Sequence, residues 1–169
     1  MQRFLDRVYD AAAWAAAAFM AGTLVFVVLG ILGRLLGFHL RGTDAYAGYC
    51  MAACGFLALA HTLRRGEHIR VTLVLDHVPP RVRRAMELGC LAAGVALSGL
   101  LAWYSVRLAW QSHAFNDIST ANDATPLWIP QLGMAAGSVL LVVAFLESFV
   151  LGLHGKALAS GGGEPARTE

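Results

Sequence analysis

The chain has 169 residues, is 57% hydrophobic, only 14% charged, and carries a formal net charge of +2. Soluble domains hold about 25% charged residues. Here the charges cluster and leave stretches of about twenty residues empty, the length a helix needs to cross a hydrocarbon core of about 30 Å. This clustering excludes a large water-soluble core. No basic face with interleaved aromatics speaks for nucleic acid. Cys50, Cys54 and Cys90 form neither a C-x-x-C pair nor a zinc pattern, and all fall in apolar stretches as small buried side chains do.

In chain order, Met1 to Asp10 carries Arg3, Arg7, Asp6 and Asp10, and an uncharged run follows at once. That run outlasts the 7–15 apolar residues of an export signal, so the first span, residues 11–33, reads as a retained anchor. Its first half is nearly all alanine, with Gly22, Gly30 and Gly33 after it, a small-residue face suited to close helix packing. Trp14 suits a membrane boundary. A short connection carries Arg34, His39, Arg41 and Asp44, and the second span is expected over residues 45–63.

A basic segment follows, with Arg64, Arg65, Glu67, His68, Arg70, Arg81, Arg83 and Arg84. Residues 71–75 are apolar but too short to cross, so they read as an amphipathic piece at the membrane surface or one packed on the neighbouring helices. Pro79-Pro80 ends that piece. The third span is expected over residues 88–106, with Gly94 and Ser98 as a small pair, Trp103 and Trp110 toward its far end, and Glu87 and Arg107 at its edges. Residues 111–125 form a polar loop without Lys or Arg. The fourth span covers residues 127–146, with Thr125 as cap, Pro126 in the first turn, Trp128 and Pro130 setting its depth, and Gly133 and Gly137 as a G-x-x-x-G pair. Residues 1–155 thus read as one all-α membrane domain, and residues 156–169 as a flexible tail.

Orientation follows from counting. With both termini inside, ten of the thirteen Lys and Arg lie on the cytoplasmic side, and Arg34, Arg41 and Arg107 lie outside. The positive-inside rule selects that threading. The middles of the spans hold no ionisable residue, the default marker of an ion or solute path. His61 and His113 would sit at opposite membrane faces, which argues against the alternative of a haem- or quinone-binding anchor of an oxidoreductase. The Asn-Asp pairs of the outer loop lack the glycine and closing glutamate of a calcium loop. No enzyme motif is present, no cofactor is expected, and an accessory role in a membrane assembly is the reading.

The run Leu63-Arg64-Arg65-Gly66-Glu67-His68-Ile69-Arg70-Val71, the later Pro79-Pro80 with its arginines, Arg34 after the first span, and Pro126-Leu127-Trp128-Ile129-Pro130 entering the last span resemble the small, DctQ-type membrane subunit of TRAP transporters. The resemblance implies a bacterial inner-membrane protein that braces a large membrane subunit, where substrate and sodium bind. It also implies a periplasmic solute-binding protein that delivers an organic acid. Under it, Arg34, Arg64, Arg65, Glu67, His68 and Arg70 serve topology and contacts at span ends. Pro126, Trp128 and Pro130 set depth, and Trp103 and Trp110 anchor the third span or face the large subunit.

Overall fold

Hydrocarbon offers a peptide group no water to bond, so a chain this apolar satisfies its amides within helices. The computed structural model describes residues 2–38, 40–64, 79–121 and 123–153. Among these it forms four α-helices: α1 Gln2–Leu35, α2 Thr43–Arg64, α3 Pro80–Ala114 and α4 Trp128–Leu153. Each is long and apolar enough to cross a membrane, and the all-α, four-span fold class holds. The amphipathic piece at residues 71–75 and the tail at 156–169 lie outside the described residues.

The helices outrun the apolar stretches that announce them. α1 takes in the charged residues before Ala11, and α3 continues past Arg107 to Ala114. Nothing in Arg107 to Ala114 breaks a helix. The turn comes at Phe115, whose amide donates to the Gln111 carbonyl, and at Asn116, at φ 51°, whose amide donates to that of His113. Pro80 occupies the first position of α3, where its missing N–H costs nothing. The start of α4 differs from expectation. Pro126 pairs with Ile118 in an antiparallel bridge, the helix opens at Trp128, and the Thr125 hydroxyl bonds Tyr46 at 3.3 Å instead of capping α4. Pro130 falls in the first turn, where it is tolerated.

The principal packings are α1 on α2, α2 on α4 and α4 on α3, so α1 and α3 take the outside positions. Most of what the helices bury is small: Ala12 and Ala16 on α1, Ala53 and Ala60 on α2, Ala135 and Ala144 on α4, and Ser98, Ala102, Ser105 and Ala109 on α3, with Tyr9, Leu57 and Leu141 as larger buried side chains. Lipid is as apolar as leucine, so helix association here comes from close van der Waals contact, which small side chains permit. The buried hydroxyls bond back to their own helices, Ser98 to the Gly94 carbonyl at 2.7 Å and Ser138 to that of Ala135 at 3.0 Å. No polar group is thereby left facing hydrocarbon unsatisfied at those positions.

The tightest crossing is α2 against α4. A methyl group built on Gly137 would stand 2.4 Å from the Phe56 carbonyl carbon and 2.8 Å from the Leu57 amide nitrogen. One turn earlier, a methyl group on Gly133 would meet Ala53 Cβ at 2.8 Å. The G-x-x-x-G pair is therefore the seam on which two backbones touch. At the α3–α4 crossing Gly94 plays a similar part, leaving room for the Phe145 ring.

Candidate functional site

Two polar clusters lie at opposite ends of the bundle, and one unusual outward face lies between them. At the first end, Arg64 in the last turn of α2 gathers three helices. Its guanidinium donates to Glu147 Oε2 of α4 at 2.8 Å, pairs with Asp6 of α1, and stands 5.0 Å from the centre of the Tyr9 ring. Tyr9 is 1% exposed and packs among Ala60, Ala144 and Leu140. Its hydroxyl makes a long contact, 3.5 Å, with the same Glu147 oxygen. His61 Nδ1 lies 3.9 Å from Asp10. The cation has a reason to be there, because a carboxylate half-buried at a span end needs a counter-charge. On α3, Arg83 pairs with Glu87 at 3.2 Å and Arg84 donates to the Leu153 carbonyl at 3.3 Å, which fastens α3 to α4 at this same end.

At the other end the loop between α3 and α4 folds into a small hairpin. Besides the Ile118–Pro126 bridge, the Ser119 amide donates to the Thr125 carbonyl at 2.9 Å and the Leu127 amide to the Asp117 carbonyl at 2.9 Å. Two tyrosines of α2 hold it. The Tyr49 hydroxyl lies 2.9 Å from Ser119 Oγ and donates to Asp123 Oδ2 at 3.1 Å, and Tyr46 receives the Thr125 hydroxyl. Gly42, at φ 82°, lets the α1–α2 turn pass against the hairpin, since a Cβ there would come within 2.7 Å of Asp123 Cβ. The polar loop between the third and fourth spans is thus docked on α2 by its side chains.

Partial burial pushes the Asp123 carboxyl up, but donors on Thr125, Ser119, its own amide and Tyr49 together outweigh this and hold it below the usual carboxylate range. A depressed folded-state pKa stabilises the fold above the unfolded value, about 3.9, and that contribution is lost as pH falls through the lower folded value. Hydrogen exchange of residues 115–121 is therefore expected to accelerate as acid titrates Asp123. Asp123→Asn should exchange faster already at neutral pH and lose that acid-dependent step. Identical profiles for the two proteins would contradict this account of the hairpin.

The candidates singled out in the sequence distribute unevenly over these clusters. Arg64 is central to the first. Arg65, Glu67, His68 and Arg70 lie outside the described residues. Arg34 pairs with Asp44 at 3.0 Å on the surface of the second end, both side chains more than 70% exposed. Trp128 meets His113 edge-on, ring centres 5.3 Å apart, while Trp103 and Trp110 point outward from α3. Sequence reasoning did not identify Tyr9, Asp6, Tyr46 or Tyr49, and considered Asp123 only as part of an Asn-Asp pair set against a calcium loop. Their signal was topological: Tyr9, Arg64 and Glu147 all fall at span ends on one side of the membrane in the threading chosen from charge. Among the described residues no three His, Cys, Asp or Glu side chains converge to hold a metal ion.

The family model for "Tripartite ATP-independent periplasmic transporters, DctQ component" matches residues 23–155, from the middle of α1 through the end of α4. The chain belongs to the DctQ family. It is a small membrane subunit of a TRAP-type transporter. No curated protein matches the chain. In DctQ terms the match takes in Arg64, Glu147, the Gly133–Gly137 seam and the tyrosine-held hairpin, while Asp6 and Tyr9 precede it.

Proposed function

We propose that this DctQ subunit braces the large transport subunit of a sodium-coupled importer of organic acids, to which a periplasmic binding protein delivers substrate. The observation that carries this reading is where the charge sits. The ion pairs Arg64–Glu147, Arg64–Asp6, Arg83–Glu87 and Arg34–Asp44 all lie at helix ends, whereas the middles of the helices meet mostly through alanine, glycine and serine, with Leu57 and Leu141 the larger side chains buried there. Carrying a sodium ion or a carboxylate across the bilayer calls for polar ligands at mid-depth or a broken helix. Continuous helices seamed by backbone contact make a rigid support instead.

In this reading the chain sits in the inner membrane, and the excess of Lys and Arg on one side of the spans supports both termini being cytoplasmic. The Arg64 cluster then faces the cytoplasm, and the hairpin held by Tyr46 and Tyr49 faces the periplasm, where it offers an acidic, Lys- and Arg-free surface to the binding protein. Arg34 and Trp128 lie at the periplasmic boundary and set the depth of α1 and α4. Co-expression with the large membrane subunit of the same transporter tests the reading. The two chains should purify together at a fixed ratio, and a chain that purifies only alone would overturn it.

A further inference from the structure

α3 is an outside helix with two unlike faces. Toward α4 it buries Ser98, Ala102, Ser105, Ala109 and Ser112, the alternating four- and three-residue spacing of a helix seam. Opposite, at the same spacing, run Leu100, Trp103, Arg107 and Trp110, all exposed. Trp103 is 68% and Trp110 77% exposed. The other outside helix, α1, turns outward Leu24, Val28, Ile31 and Leu35, an aliphatic face without charge that acyl chains can solvate. The α3 face cannot be treated the same way, because it contains an arginine.

The depth of Arg107 decides what it needs. The contact of His113 with Trp128 puts His113 level with the start of α4. Arg107 lies six residues earlier in α3, about 9 Å from that level toward the middle of the span Arg81–Ala114, and so inward of the edge position expected for it from the apolar run. Helical side chains lean toward the N-terminus of their own helix. For α3 that direction runs away from the nearer membrane surface, so snorkelling to the closer headgroups is disfavoured. Among the described residues no ion pair involves Arg107. An arginine at such depth is paired in the assembled state, and Trp, Tyr and Arg are the residues that dominate binding at protein interfaces.

We propose that the outward face of α3 seats a helix of the large membrane subunit, with a carboxylate on that helix pairing with Arg107. The proposal rests on the small-subunit reading above. Toward the other end of α3 the same stripe continues as Gly89, Ala93 and Ala96, all exposed. A Cβ on Gly89 would meet nothing within 4 Å among the described residues. A partner helix can therefore approach the backbone along the lower half and insert between Trp103 and Trp110 along the upper half.

The test uses the co-expressed complex, captured through a tag on the large subunit. Arg107→Glu should reduce the recovered small subunit at least tenfold, Arg107→Lys should retain it, and an acid-to-arginine change on the large subunit should restore recovery of Arg107→Glu. If Arg107→Glu does not fold, Arg107→Gln removes the charge without adding an acid and should still reduce recovery. Full recovery of both variants would overturn the proposal while leaving the small-subunit reading intact. So would loss of a bound anionic phospholipid from Arg107→Gln at unchanged subunit ratio, which would make the site a headgroup site. Failure of the wild-type chain to be recovered at all would overturn both.

Discussion

Gly137→Leu is expected to eliminate the folded bundle, and Gly137→Ala to yield a folded protein of clearly lower thermal stability. The reason is local and geometric. The added methyl group would land 2.4–2.8 Å from backbone atoms of Phe56 and Leu57, and backbone cannot swing aside as a flexible side chain can. α2 and α4 must separate along their whole contact, which loosens the Ala53, Ala135 and Ser138 contacts as well. Overpacking in a close-packed interior typically costs about 1–3 kcal/mol, and a leucine needs far more room than one methyl group. Gly48 and Gly55, on the same helix pair, have open space where a Cβ would go. Gly48→Ala and Gly55→Ala should therefore match the wild type in a detergent melting experiment. Equal melting of Gly137→Ala and Gly48→Ala would show that the seam is not where the bundle is held.

The second large effect is expected at the Arg64 cluster. Arg64→Ala leaves Glu147, with a side chain only 18% exposed, facing the Tyr9 hydroxyl and Asp6 without its cation. Breaking a buried pair from one side costs about 3–5 kcal/mol. The Arg64 side chain is 30% exposed, so water reaches the pair and a loss of about 1–3 kcal/mol, the range for hydrogen bonds to charged groups, is the better expectation. Replacing both partners, Arg64→Met with Glu147→Leu, removes the stranded charge and should recover most of the loss, as exchanges of buried ion pairs for apolar residues do. Thermal melting of the single and double variants measures this. A double variant less stable than Arg64→Ala alone would refute the account of the cluster as a mutually neutralised group.

These two sites were legible in the sequence to different degrees. Gly133 and Gly137 stood out as a motif, but glycine is frequent in membrane helices, and only the approach of the Phe56 carbonyl shows that this pair carries a crossing. The four apolar runs located the helices because the charge-free stretches match the bilayer. Their ends were hidden, since polar residues such as Gln111 and His113 continue a helix as readily as they form a loop. Thr125 looked like a cap by type and position, yet Tyr46 competes for its hydroxyl, a contact between residues far apart in the chain. Arg64 was selected for its positive charge on the cytoplasmic side. Its partners Asp6, Tyr9 and Glu147 come from the first and last helices, and no local pattern joins them. Along α3 the buried spacing of Ser98, Ala102, Ser105, Ala109 and Ser112 was present in the sequence all along, obscured by the larger residues interleaved with it.

The central claim is that these helices support a transporter without moving solute themselves. Uptake of a labelled organic acid into proteoliposomes under an inward sodium gradient, with binding protein present, tests it most directly. Vesicles holding this chain together with the large membrane subunit are predicted to accumulate substrate, and vesicles holding this chain alone to stay at background. Accumulation by the chain alone would contradict the account.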